Sequence, residues 1–166
     1  PLEGSPEYQQ GYLLGQLLAQ AGHTVMTGGY RGVMEAAACG ASEAGAKTIG
    51  VTCADIDVWR PGGPNQWISE HHSTPHLNAR LEVLTRKADA YIALPGGIGT
   101  LGEIILALNL IAINSIYARP LIAVGSGWHE TFNAFYKACK PHIAAKDMQL
   151  LLFAPDVQAA TEILKN

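Results

Sequence analysis

Residues 90–94, Ala-Tyr-Ile-Ala-Leu, form a short apolar run that passes through a bend of proline and glycine directly into an apolar helical pattern. This order of patterns restricts the fold. A strand apolar on both faces belongs inside a parallel sheet, covered by helices. Pro95 ends the ladder, and Gly96, Gly97 and Gly99 let a ligand approach the main chain without meeting a Cβ. A helix is expected from Thr100 onward, so that unpaired amides and the positive end of the helix dipole face the bend. A phosphate is the natural guest of such a bend. The string Thr100-Leu101-Gly102-Glu103 also spells a capping box, which needs no ligand but leaves the three glycines upstream unexplained.

The rest of the chain repeats the alternation. Ser5, Pro6 and Glu7 supply a cap, a pre-set first residue and an acid for a helix expected to run to about Ala21. Strands are expected at residues 24–27, 47–53, 90–94, 121–124 and 150–153. Helices are expected at 33–44, 101–113, 128–138, 155–164 and 76–87, the last with Leu77, Leu81 and Leu84 on one stripe. Residues 28–32 read as a tight glycine loop. Residues 54–75 have no period and read as a long loop with a short strand near 68–71. Strands alternating with helices predict an α/β fold: a Rossmann-like doubly wound parallel sheet with helices on both faces, in one domain spanning residues 1–166. Ligands of such folds sit at the carboxyl ends of the strands, where the bends at Gly28 and Gly96 both open. Because Pro1 stands directly before a helix, the first strand of that fold is expected to be absent from this sequence.

Composition narrows the partners. A chain of 166 residues, 48% hydrophobic and 15% charged, can bury a substantial core. A net charge of -3 without a long basic run disfavours nucleic acid as a partner. No stretch reaches the roughly twenty apolar residues of a membrane span, and no signal pattern opens the chain, so a cytoplasmic location is expected. Cys39, Cys53 and Cys139 lack CxxC spacing and read as reduced core thiols. His71, His72 and His76 have no acidic or cysteine partner at ligand spacing, and neighbours on an extended segment point to opposite faces, so no metal is expected. Trp59 and Trp67 are expected to cover the core, with stacking on a base as the other use. The helix at 101–113 is apolar nearly all round and predicts self-association, as a homodimer or a higher even-numbered assembly.

The string Pro95-Gly96-Gly97-Ile98-Gly99-Thr100-Leu101-Gly102-Glu103 resembles the PGGxGTxxE signature of the Lonely Guy (LOG) family, once labelled lysine decarboxylases. Thr27-Gly28-Gly29-Tyr30-Arg31-Gly32-Val33-Met34 is similar to that family's GGGxxGLM loop, and Arg80 falls where the family has the arginine of an Arg-Lys pair. The resemblance extends from the first helix to about Asn114. It departs at Leu81, which replaces the lysine, and at Glu35, which stands where the loop commonly ends in glycine; Arg31 can supply the lost charge.

The resemblance implies hydrolysis of the N-glycosidic bond of a purine nucleoside 5′-monophosphate, releasing free base and ribose 5-phosphate without a cofactor. Cleavage builds oxocarbenium-like charge on the ribose, which calls for a carboxylate. On this reading Glu103 stabilises that charge and directs water, and Arg80 holds the phosphate or steadies the leaving base. Gly96, Gly97, Gly99 and Thr100 dock the phosphate, and Gly28, Gly29, Arg31 and Gly32 wall the cleft. The rival is a non-catalytic carrier of a nucleotide or of the molybdenum cofactor, a phosphorylated pterin; such carriers resemble this chain in length and fold. A pyridoxal-phosphate decarboxylase would need a Schiff-base lysine, and no lysine stands in a comparable setting.

Overall fold

The computed structural model describes residues 2–165 and divides the chain into two compact units, Pro1–Lys87 and Ala88–Asn166. The first unit runs α1 (Pro6–Gln20), β1 (Val25–Thr27), α2 (Val33–Glu43), β2 (Thr48–Cys53), α3 (Ala54–Asp57), β3 (Glu70–Thr74) and α4 (Leu77–Lys87). Its sheet has the order β1-β2-β3, all parallel, with Val25 opposite Thr48 and Ile49 opposite Glu70.

As the sequence predicts, Ser5 caps α1: its hydroxyl accepts from the Tyr8 amide at 3.2 Å, and Pro6 takes the first helical position. Small residues explain how α1 meets α2. A Cβ on Gly15 would collide with the Ala37 carbonyl, and one on Gly40 with the Tyr12 carbonyl, so the two backbones cross almost in contact. The buried run from Ala36 to Ala41 on α2 is the surface that permits this approach.

Two expectations about this unit are corrected. The strand of the long loop is Glu70–Thr74 rather than 68–71, because Ser69 spends its hydrogen bonds on Thr48, leaving ladder pairing to start at Glu70. A short helix, α3, interrupts the same loop. On α4 the leucine stripe runs from exposed Leu77 to half-buried Leu81 and Leu84, and the buried residues are Arg80 and Thr85. The physical reason is a hydrogen bond from Arg80 Nε to the Val51 carbonyl of β2 at 2.7 Å, which turns the arginine inward.

The second unit runs β4 (Tyr91–Ala93), α5 (Ile98–Ala112), β5 (Leu121–Val124), α6 (Ser126–Cys139), a 3₁₀ turn (Lys140–His142), α7 (Ala145–Met148), β6 (Leu151–Ala154) and α8 (Val157–Ile163). The order β4-β5-β6 is again wholly parallel, and the central strand β5 is buried throughout. Ile104, Ala107 and Ile111 of α5 pack with Leu121, Ala123, Trp128, Phe132 and Leu151. The helix at the carboxyl end starts at Val157 rather than Pro155, because the Asp156 side chain accepts from the Ala159 amide at 2.8 Å and so fixes the cap. The parallel α/β class is as expected, and its strands sort into two sheets, one in each unit. Among the described residues no helix is long and apolar enough to cross a membrane.

Candidate functional site

In the second unit, β4 leaves the sheet through Leu94 and Pro95 and α5 begins at Ile98 with Gly97 as its cap. This corrects the expected start at Thr100. The first intrahelical bond runs from the Leu101 amide to the Gly97 carbonyl at 3.0 Å, so the amides of Ile98, Gly99 and Thr100 precede the ladder. Thr100 is therefore the third helical residue, no side chain caps the helix, and the capping box read from the sequence is not formed. The glycines upstream need another reason. At Gly96 the reason is steric, since a Cβ there would collide with the Thr100 hydroxyl folded over it.

One hydrogen bond holds this bend in place: Trp128 Nε1 donates to the Leu94 carbonyl at 3.1 Å. The turn after β5 runs alongside, where a Cβ on Gly125 would lie 3.6 Å from Pro95 Cγ. Gly125 has φ 99°, a conformation costly for a residue with a side chain, and its amide donates to the Ala154 carbonyl at 2.9 Å. Residues 95–99 are exposed, while Thr100 and Glu103 are half-buried. Glu103 lies in the second turn, not the first as expected, three residues beyond Thr100 and on the same helix face. Chemically, the segment offers a row of first-turn amides, one hydroxyl and, one turn deeper, one carboxylate.

In the first unit, the turn after β1 is packed from within. A Cβ on Gly28 would collide with the Arg80 guanidinium and the Met34 sulfur. Gly29 has φ 77°, a Cβ there would crowd Thr52 and Gly50, and its amide donates to Thr27 Oγ1 at 3.1 Å. Gly32, with φ 86°, caps α2, and Glu35 sits in the first turn of that helix, where the dipole favours an acid. Arg31 is exposed. Arg80, only 5% exposed, lies 5.8 Å from the centre of the Tyr30 ring. The arginine is thus a buried member of the turn rather than a solvated helix residue. Leu81, at the family's lysine position, is half-buried.

The histidines are engaged elsewhere. His71 Nε2 lies 2.8 Å from Thr52 Oγ1, and His72 lies 2.6 Å from Glu70, which also pairs with Lys47. Those two partners, Lys47 foremost, hold the Glu70 carboxyl below the usual carboxylate range. His76 Nδ1 accepts from the Ala79 amide at 3.2 Å and serves the start of α4. Among the described residues no group of three His, Cys, Asp or Glu side chains is placed to hold a metal ion. Trp59 is 84% exposed, which corrects its expected place over the core, and Trp67 is half-buried. Cys39 and Cys53 are buried and Cys139 is half-buried, all three free.

Two residues the sequence reading missed shape the first-unit turn. The Tyr30 hydroxyl accepts from the Cys53 amide at 3.0 Å and lies 2.9 Å from Asp57 Oδ1, and burial raises its pKa. Asn65, 7% exposed, donates its side-chain amide to the carbonyls of Gly29 and Tyr30 at 3.0 and 3.1 Å. The only sequence signal for Asn65 was its place in a proline- and glycine-rich loop, where an asparagine side chain commonly replaces a backbone partner.

Parallel strands that end in glycine turns at helix starts define a Rossmann-like α/β protein. The SLOG cluster4 family model matches residues 3–149, and the chain belongs to that family. An uncharacterized protein of Archaeoglobus fulgidus is 34% identical over 102 residues, 61% of this chain and 64% of its own length. A pyrimidine/purine nucleotide 5'-monophosphate nucleosidase of Escherichia coli K12 is 31% identical over 128 residues, 72% of this chain and 28% of that protein. The chain therefore spans less than two thirds of the length of either. A protein of Oryza sativa subsp. japonica named "Probable cytokinin riboside 5'-monophosphate phosphoribohydrolase LOGL9" is 26% identical over 154 residues, 91% of this chain and 66% of that one. Among solved structures, the molybdenum cofactor binding protein of Rippkaea orientalis superposes with a TM-score of 0.75 at 27% identity, over 98% of this chain and 89% of that one. The family resemblance read from the sequence holds.

Proposed function

We propose that this chain hydrolyses the N-glycosidic bond of a purine nucleoside 5′-monophosphate: water oxygen bonds to the anomeric carbon, the bond to the base nitrogen breaks, and a proton passes to the departing base. The observation that carries the reading is the placement on one face of α5 of Thr100, beside three first-turn amides, and Glu103 one turn on. A phosphate on those amides puts the sugar within reach of an acid deeper along the helix. The names of the Escherichia coli and Oryza sativa relatives support the same reaction class.

In this reading Gly96, Gly97, Gly99 and Thr100 receive the phosphate, and Glu103 stabilises the ribosyl cation and directs water. Arg80 is the cation for phosphate or leaving base, supported by its desolvated place beside Gly28. Gly28, Gly29, Arg31 and Gly32 form a second nucleotide-binding turn within the first unit, residues 1–166 act as one nucleotide-binding domain, and no cofactor takes part. A cytoplasmic homodimer, or a higher even-numbered assembly, is the proposed working form, supported by Ile105 and Ile113 of the α5 segment, which stay exposed.

A carrier without turnover is the second reading, favoured by the likeness to the Rippkaea orientalis protein. Glu103→Gln separates the two. For a hydrolase it lowers the rate of base release by roughly 10²–10⁴-fold and leaves nucleotide affinity within a few-fold. Undiminished release by the variant would remove Glu103 from the chemistry.

A further inference from the structure

The loop leading from α3 to β3 carries Arg60-Pro61-Gly62-Gly63-Pro64, with φ 118° at Gly62 and 69° at Gly63. Asn65 ties it down: its side-chain Nδ2 donates to the carbonyls of Gly29 and Tyr30, and its main-chain N–H donates to the Gly29 carbonyl at 2.8 Å. This clamp sets the loop against the turn that carries Arg31. Between them is an open pocket of about 330 Å³ lined by Tyr30, Arg31, Arg60, Pro61 and Gly63. No acidic residue lines it. Asp57 is engaged with the hydroxyl of Tyr30, one of the lining residues. Among the described residues neither guanidinium enters an ion pair or a hydrogen bond.

We propose that Arg31 and Arg60 form a binding pocket for a phosphoryl group in the first unit. Two cations on one small pocket without a counter-charge repel each other, and an anion between them removes that cost. One planar guanidinium fork already matches both oxygens of a carboxylate; two forks match the larger oxygen set of a phosphate or pyrophosphate. The chain carries a net charge of -3, so this positive patch is local and selects a compact anion rather than a long polyanion. The assignment does not depend on Glu103 or on turnover. The phosphoryl group can belong to the nucleotide substrate or to a separate phosphorylated ligand.

The test titrates the full chain with inorganic pyrophosphate and with AMP at low ionic strength, by calorimetry. Arg60→Gln and Arg31→Gln each weaken pyrophosphate binding by about tenfold or more, with Arg60→Lys between them and the wild type. Both side chains are exposed, so melting temperatures stay unchanged. Loss of AMP affinity in Arg60→Gln assigns the pocket to the substrate's phosphate; unchanged AMP affinity assigns it to a second ligand. Pyrophosphate binding that is absent from the wild type overturns the proposal. So does binding that survives both arginine variants and falls only in Thr100→Val, which would place the anion at the α5 bend instead.

Discussion

Replacing Gly28 by alanine tests how the first-unit turn is built. The alanine Cβ would collide with the Arg80 guanidinium, which is 5% exposed and donates to the Val51 carbonyl at 2.7 Å. Gly28 does not lie at positive φ, so alanine suits the backbone and contributes about 0.4–1 kcal/mol by restricting the unfolded chain. Against this, moving the guanidinium gives up a charged hydrogen bond of about 1.5–3 kcal/mol. The balance is a destabilisation of about 1–2 kcal/mol, measured by urea unfolding. A double-mutant cycle isolates the cause. In an Arg80→Met background the guanidinium collision is gone and only the flexible Met34 side chain has to give, so the penalty of Gly28→Ala shrinks. Penalties that simply add to within about 0.5 kcal/mol would refute the steric account.

Gly40→Ala should destabilise by about 2 kcal/mol or more even though alanine is the better helix former, because its Cβ meets the Tyr12 carbonyl across the α1–α2 contact and neither backbone can yield cheaply; thermal unfolding checks this. Burial, with Glu43 as the next cause, pushes the Cys39 thiol from 9.0 to about 11. Between those values the unfolded chain releases a proton that the folded chain keeps, so stability should fall as pH rises from 9 toward 11, and Cys39→Ala should flatten that fall in denaturation curves taken across the range. The exposed Ile105 and Ile113 predict an even-numbered assembly by light scattering at micromolar concentration, and a monomer there would contradict the self-association reading.

Much of this molecule was legible because short-range chemistry decided it. Ser5 followed by proline, the apolar strands and the glycine bends each specify local backbone, and the structure follows them. The misreadings came from contacts distant in sequence. On α4 the inward turn of Arg80 rests on its hydrogen bond to Val51 of β2, which no spacing along the helix announces. The capping box was a valid local reading, yet Gly97 capped the helix first and left Thr100 to cover Gly96. Arg60 gave no signal and Asn65 only that of its loop's composition, because a loop without period does not name its partner; only the fold brings Asn65 to the Gly29–Tyr30 carbonyls.

The most direct measurement is to incubate the purified protein with a panel of nucleoside 5′-monophosphates, N6-prenylated AMP included, and to separate the products by chromatography with mass detection. Free base and ribose 5-phosphate in equal amounts, released roughly 10²–10⁴-fold more slowly by Glu103→Gln, is the predicted result. A protein that binds these nucleotides and returns them intact would contradict hydrolysis and leave a carrier in its place.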